Sequence, residues 1–145
     1  MTMGRLFQRP IDLHGISPLT LAFVGDGVYG LMVREWLTCE ANRPIGELHD
    51  RSVKLVCAQA QAAAVGRLLP LLSDEETAVF KRGRNAHTSR SGNDYHYATG
   101  LETLFGYLYL SGNTERLHEL FSFIMKVVDK ALKAERSRVW NKKQH

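Results

Sequence analysis

Hydrophobic residues recur along this chain at three- and four-residue steps and nowhere alternate with period two for long, so the pattern predicts helices and no sheet. Ser17-Pro18 is a helix start: the serine can cap free N–H groups, and proline suits the first turn, where its missing N–H costs nothing. Leu21, Val24, Val28 and Leu31, followed by Glu35, Trp36 and Leu37, then predict an amphipathic helix to about Thr38. Ala41-Asn42-Arg43-Pro44 reads as a loop. Residues 45–69, rich in Ala, Leu, Val and Gln, predict one long helix broken at Pro70. Ser73-Asp74-Glu75-Glu76 has the form of a capping box and should begin a short helix to about Arg82. Residues 83–94 carry the Gly, Ser, Asn and Thr of a loop. Tyr95 to Leu110 returns to helix, and Ser111-Gly112-Asn113 stops it. Thr114 to about Arg138 forms the last helix, with Leu117, Leu120, Phe121, Ile124, Val127, Val128 and Leu132 on one stripe. The expected fold is all-α: one domain over residues 1–145, with 1–12 and 138–145 as loose termini.

Composition narrows this picture. A 145-residue chain with 44% hydrophobic and 23% charged residues can build a core, which excludes intrinsic disorder and collagen-like structure. No apolar run approaches the roughly 18 residues of a membrane span, and no secretory signal is visible among the first residues. Cys39 and Cys57 make no disulfide framework, so reduced thiols and a cytoplasmic location are expected. The net charge of +4 is unevenly spread. Residues from Lys126 onward carry +5, which leaves residues 1–125 at −1. The basic balance therefore belongs to a terminal helix face and is poor grounds for a nucleic-acid-binding body.

Two carboxylates interrupt apolar helix faces. Asp26 lies in Ala22-Phe23-Val24-Gly25-Asp26-Gly27-Val28-Tyr29-Gly30. Aspartate and glycine are poor helix-interior residues, each glycine costing about 1 kcal/mol relative to alanine. Glycines beside a carboxylate let another backbone, or a substrate, approach closely. Glu102 has Ala98, Thr99, Phe105 and Gly106 three and four residues away, a small and apolar face. A buried carboxylate must be protonated, paired or metal-bound. Two acids facing each other from separate helices would form an oxygen-ligand site for Mg²⁺ or Mn²⁺. The plain alternative is that each pairs with an arginine such as Arg34, or faces solvent.

A third feature is the segment from Lys81 to Arg90, with Lys81, Arg82, Arg84 and Arg90 and no acid, together with Asn85, His87, Thr88 and Ser89. Such a mixture suits phosphate and sugar contacts, although a solvated loop would have the same composition. His49-Asp50 is the dipeptide of helical metal phosphohydrolases but lacks the further ligands that site needs. No P-loop, dinucleotide fingerprint, C-x-x-C or nucleophile elbow is present. Cys57 and the aromatics Phe105, Tyr107 and Tyr109 are expected to pack in the core.

Residues 21–35 (LAFVGDGVYGLMVRE) resemble the signature helix of the ribonuclease III family, and residues 98–112 (ATGLETLFGYLYLSG) resemble its second acidic helix. Together with Lys81-Arg82-Gly83-Arg84-Asn85-Ala86, and with no room for a double-stranded-RNA-binding domain, the chain is similar to the short Mini-ribonuclease III branch from about residue 10 to 135. The resemblance implies the ribonuclease III endonuclease-domain fold and a metal-dependent endoribonuclease leaving 5′-phosphate and 3′-hydroxyl ends. It further implies Mg²⁺, replaceable by Mn²⁺, on Asp26 and Glu102, and RNA contacts by Lys81, Arg82, Arg84, Asn85 and Arg90. It also implies a homodimer, with Phe23, Val24 and Tyr29 supplying a self-complementary surface. The expected substrate is double-stranded RNA in the 23S rRNA precursor, with a ribosomal protein as a possible assisting partner.

The chain departs from the larger enzymes at three places. Ala22 and Thr99 stand where those enzymes carry further acids, and the middle-helix asparagine is altered around Val56-Cys57. The missing acids at Ala22 and Thr99 motivate a competing expectation, a catalytically silent module of the same fold that binds rRNA or a ribosomal protein.

Overall fold

The computed structural model describes residues 4–86 and 92–144, and the described chain is helical with no strand. Six helices follow in order: α1 (Pro18–Glu40), α2 (Ile45–Val56), α3 (Ala58–Leu68), α4 (Asp74–Arg84), α5 (Asn93–Leu110) and α6 (Thr114–Gln144), with a 3₁₀ turn at Leu69–Leu71. None is long and apolar enough to cross a membrane among the described residues.

The ends form where the cap residues are. The Ser17 side chain accepts from the Thr20 N–H, with Pro18 in the first turn of α1. Ser73 and Glu76 form the reciprocal capping box of α4, Glu76 N donating to Ser73 Oγ at 3.1 Å and Ser73 N to Glu76 Oε1 at 2.9 Å. At the end of α5, Gly112 adopts φ 78°, where a side chain would be strained. That turn lets the Asn113 N–H reach the Leu108 carbonyl at 2.9 Å, the Schellman closure.

Three boundaries differ from the sequence expectation. Residues 45–69 are two helices, because Cys57 takes extended dihedrals (φ −65°, ψ 151°) between α2 and α3. Cys57 is thereby exposed at the break and is not a core residue. Helix α4 runs through Gly83 to Arg84, so Lys81, Arg82 and Arg84 sit on its last turn and Asn85 is its C-cap residue. Helix α6 continues past Arg138 to Gln144, although no described residue after Val128 is buried.

α5 lies between α1 and α4, and its sequence makes that possible. A Cβ on Gly25 of α1 would lie 1.7 Å from the Glu102 carbonyl oxygen, and one on Gly106 of α5 would lie 1.9 Å from that of Leu21. The α1 and α5 backbones therefore touch directly. On the opposite face, a Cβ on Gly83 of α4 would overlap the Thr103 side chain and come within 3.1 Å of the Gly100 Cα. The core fills in around this sandwich with Tyr29, Val33, Phe80, Leu101, Leu104, Phe105, Phe121 and Ile124.

The backbone contact also sets the rotation of α1. Its buried face is Leu21, Ala22, Gly25, Tyr29, Val33 and Leu37, turned from the predicted Leu21–Val24–Val28–Leu31 stripe. Leu31 is 63% exposed as a result. At the other side of the molecule, Arg116 of α6 closes the bundle on the α4 cap, its Nε and Nη2 donating to Glu76 at 2.8 and 2.9 Å and Nη2 also to the Leu71 carbonyl. Arg116 holds the Glu76 carboxyl below the usual carboxylate range.

Gly25→Ala should lose more than about 3 kcal/mol of stability in urea unfolding, because backbone, not a movable side chain, meets the new methyl group. Gly66→Ala, in the exposed interior of α3 with nothing within 4 Å of its Cβ, should gain about 0.5–1 kcal/mol in the same measurement.

Candidate active site

The crossing of α1 and α5 places Asp26 next to Glu102. Asp26 immediately follows Gly25, and it is the Glu102 carbonyl that Gly25 touches. The two acids sit differently in the surface. Glu102 is half-buried, as its apolar neighbours predict, but Asp26 is exposed. The reason is the rotation of α1: Gly25 and Tyr29 take the core-facing side, and Asp26 falls at its edge.

The environment of Glu102 is that of a strained acid. Burial pushes its pKa from the usual 4.5 up to about 7, and the nearby negative charge of Asp26 pushes in the same direction. The Gln61 amide of α3, beside the carboxyl group, draws it part of the way back. Neither acid is in an ion pair among the described residues; Arg34 instead donates to the Gly30 carbonyl of its own helix at 3.0 Å. The plain alternative of a carboxylate–arginine pair is therefore not what holds this site.

Tyr29 and Gln61 complete the surroundings, and both escape a reading of the sequence. The Tyr29 hydroxyl is buried with no hydrogen-bond partner, and its pKa is raised by burial, then by nearby Cys57 and Glu102. Tyr29 is thus a core residue and not available as a surface, whereas Phe23 is 81% exposed. Gln61 is buried, and its Oε1 is likewise unpartnered. The one sequence signal for Gln61 was a long polar side chain at a core-facing position of an alanine-rich helix.

The chemistry available is that of two hard oxygen donors on rigid elements. Among the described residues no group of three or more His, Cys, Asp or Glu gathers anywhere, so this site offers two carboxylates and no more. The positions that might have widened the acid set, Ala22 and Thr99, are both buried, and the Thr99 hydroxyl donates to the Tyr95 carbonyl at 3.0 Å. His49 and Asp50 are exposed on α2 and gather no further ligands.

Of the basic residues singled out, Lys81 and Arg82 are exposed on the last turn of α4, and Arg84 Nε donates to Asn85 Oδ1 at 3.2 Å. Arg84 and Asn85 line a cavity of about 320 Å³ with Asn93, His96 and Tyr97 at the start of α5. Arg90 lies outside the described residues. A larger depression of about 1030 Å³ opens between α1, α2, α3 and α6, but neither acid lines it.

Comparison with known proteins agrees with this geometry. Residues 19–113 match the model of the ribonuclease III domain family. The chain is 44% identical over 119 residues to Mini-ribonuclease 3 of Thermoanaerobacter sp. (strain X514), covering 79% of this chain and 84% of that protein. It is 35% identical over 139 residues to Mini-ribonuclease 3 of Clostridium tetani, covering 92% and 91%. An X-ray structure of a Fusobacterium nucleatum protein superposes with a TM-score of 0.72 at 28% identity, covering 81% of this chain and 98% of that one. With both acidic helices inside the matched region, the chain belongs to the ribonuclease III family, in its Mini-ribonuclease 3 branch, and is an endoribonuclease.

Proposed function

We propose that this endoribonuclease hydrolyses double-stranded RNA with a hard divalent cation, Mg²⁺ or Mn²⁺, held by Asp26 and Glu102. The observation that carries the reading is the pair itself: two unpaired carboxylates from different helices, brought together by a backbone crossing, one of them destabilised by the other. An all-oxygen donor set suits a cation that keeps several of its waters. Such a cation lowers the pKa of a bound water and offsets the charge that develops on the phosphorus oxygens. Asp26 and Glu102 fix where it sits; Asp26, being exposed, also leaves the site open to a phosphodiester backbone. Hydrolysis breaks the P–O3′ bond, leaving 5′-phosphate and 3′-hydroxyl ends.

Lys81, Arg82, Arg84, Asn85 and Arg90 supply the RNA contacts in this reading. A-form RNA is recognised through phosphates and 2′-hydroxyls more than through bases, and a basic helix turn with an adjoining polar cavity fits that demand. The exposed Phe23 and Leu31 of α1, with open space beside Gly27, support a homodimer through this helix. The 23S rRNA precursor is the proposed natural substrate, in the cytoplasm, with a ribosomal protein shaping it. The silent-module alternative draws on the buried, acid-free positions Ala22 and Thr99. It leaves unexplained why the chain keeps a carboxyl group as unfavourably placed as Glu102.

Asp26→Asn should reduce Mg²⁺-dependent cleavage of a long double-stranded RNA by more than about 100-fold, since even groups that only support a ligand are worth about 10–100-fold. Its circular dichroism should be unchanged, and wild-type products should carry 5′-phosphates. Equal cleavage by both proteins rules Asp26 out.

The raised pKa of Glu102 gives a second expectation. Cleavage at low, subsaturating Mg²⁺ should rise with pH through about 7, as Glu102 loses its proton and can hold the cation. Stability of the metal-free protein runs the other way. The folded state binds the Glu102 proton more tightly than the unfolded chain, so this contribution declines as pH rises from about 4.5 to about 7. Glu102→Gln should remove that decline in urea-unfolding measurements across the same range.

A further inference from the structure

The C-terminal half of α6 carries more positive charge than its place in the fold explains. No described residue after Val128 is buried, so the extension to Gln144 gains no core packing. Residues from Lys126 onward nevertheless hold seven Lys and Arg against Asp129 and Glu135. Cations in the last turn of a helix stabilise its free carbonyl groups, which accounts for Lys142 and Lys143. That effect is confined to the helix end and leaves Lys126, Lys130 and Lys133 unexplained. Like charges four residues apart, as on Lys126 and Lys130, work against a helix. Of the three lysines, only Lys133 is in an ion pair among the described residues, with Asp129 at 3.0 Å.

The three lysines share one face. Lys126, Lys130, Lys133, Ser137, Trp140 and Gln144 follow one another at alternating steps of four and three residues, and all are exposed. They form a stripe about 27 Å long at the rise of an α-helix. No acid stands on it, and Trp140, 63% exposed, is its one apolar residue. Leu132 and Val139 of the same extension turn instead to the larger depression, which Trp36, Leu37 and Glu40 border at the end of α1. Trp36 lies ten residues beyond Asp26, about 15 Å along α1. The stripe is therefore away from the acid pair.

We propose that this face of α6 is a second RNA-binding surface, on which Lys126, Lys130 and Lys133 neutralise phosphates of the substrate outside the cleavage point. This rests on the reading of double-stranded RNA as the substrate. A polyanion is the partner that a row of like charges fits. Each ammonium group displaces a counterion from a phosphate, and binding relieves the repulsion within the helix. Such contacts hold and orient the nucleic acid without reading its sequence. An anionic lipid surface would need apolar side chains beside the cations. Only Trp140 meets that need, because Leu132 and Val139 face the depression. Remote from Asp26 and Glu102, the stripe contributes to holding RNA and not to the chemical step.

The test compares the whole protein with two triple variants that lose the same charge. One is Lys126→Gln/Lys130→Gln/Lys133→Gln; the other, Arg9→Gln/Lys54→Gln/Arg67→Gln, removes exposed cations scattered elsewhere. Glutamine keeps the helix propensity of lysine, and circular dichroism checks that each variant folds. Binding of a long double-stranded RNA is measured in EDTA by fluorescence anisotropy over a range of salt concentrations. The stripe variant should bind about tenfold more weakly, with the slope of log K against log salt shallower by about 2–3, whereas the scattered variant should stay within about threefold of wild type. Lys130→Gln alone should lower the slope by about 1. In Mg²⁺ cleavage assays the stripe variant should raise KM and leave kcat unchanged. Equal weakening by both triple variants overturns the proposal, since net charge then explains the effect. Wild-type affinity in the stripe variant overturns it too and leaves double-stranded RNA as the substrate, as does a fall in kcat at constant KM. Loss of binding to phosphatidylserine–phosphatidylcholine vesicles with RNA affinity retained assigns the face to a lipid surface instead. Failure of the wild-type protein to bind the duplex removes the substrate reading, and this inference with it.

Discussion

Direct backbone contact between α1 and α5 is the constraint on which the rest of this molecule depends. Gly25 and Gly106 leave no room for a side chain on either helix, because each would drive its Cβ into a carbonyl of the other. Helices packed through ordinary side chains lie roughly 8–10 Å apart; a glycine-to-glycine crossing brings them closer. The residues flanking the contact inherit that closeness. Asp26 follows Gly25, and Glu102 supplies the carbonyl that Gly25 touches, so the acids meet at the crossing itself. Glycine in the middle of a helix is a local loss of about 1 kcal/mol. Here the loss is offset by the packing it permits, and the same packing assembles the site.

The site opposes stability in a second way. Glu102 is held where its charge is unfavourable, both by burial and by Asp26. Around it, Tyr29 and Gln61 each keep a buried polar atom unsatisfied. A domain selected only to fold would place apolar groups at all three positions. Much of the rest carries the opposite signature: side-chain N-caps on α1 and α4, a bidentate Arg116–Glu76 pair and a continuous apolar core. Local inconsistency of this kind is where a functional site is expected.

Much of this was legible in the sequence, for identifiable reasons. Ser17-Pro18 and the Ser73–Glu76 box announce helix starts because caps are local chemistry. The α6 stripe is regular because that helix packs by ordinary side chains. Asp26 and Glu102 stand out because a carboxylate violates an apolar face, and the glycines beside them announce a close approach. What was not legible is tertiary. The break at Cys57 has no proline or glycine to mark it; only the packing of α2 and α3 against different neighbours requires it. The rotation of α1 follows from the Gly25 contact with α5, a partner about 80 residues away, so the Val24–Val28–Leu31 pattern suggested the wrong buried face. Tyr29 read as dimer surface and Gln61 drew no reading, since an aromatic and a glutamine become informative only once their burial is seen.

Charge makes the same point about local against global description. A net charge of +4 concentrated after Lys126 says little about where RNA would be cut. The arrangement around α5 says more. Gly100 faces α4, while Glu102 and Gly106 face α1, so the basic turn and the acid pair flank opposite sides of one helix. The diameter of a helix with its side chains is about 10–12 Å, close to the Debye length of roughly 8 Å at physiological ionic strength. At that separation the cationic turn can attract a polyanion without neutralising the acids by direct pairing. Had Arg82 or Arg84 reached across to Asp26 or Glu102, the site would have been a buried salt bridge and nothing more. The glycine contacts on the two faces of α5 hold the basic turn and the acid pair on opposite sides of that helix, near one another but apart.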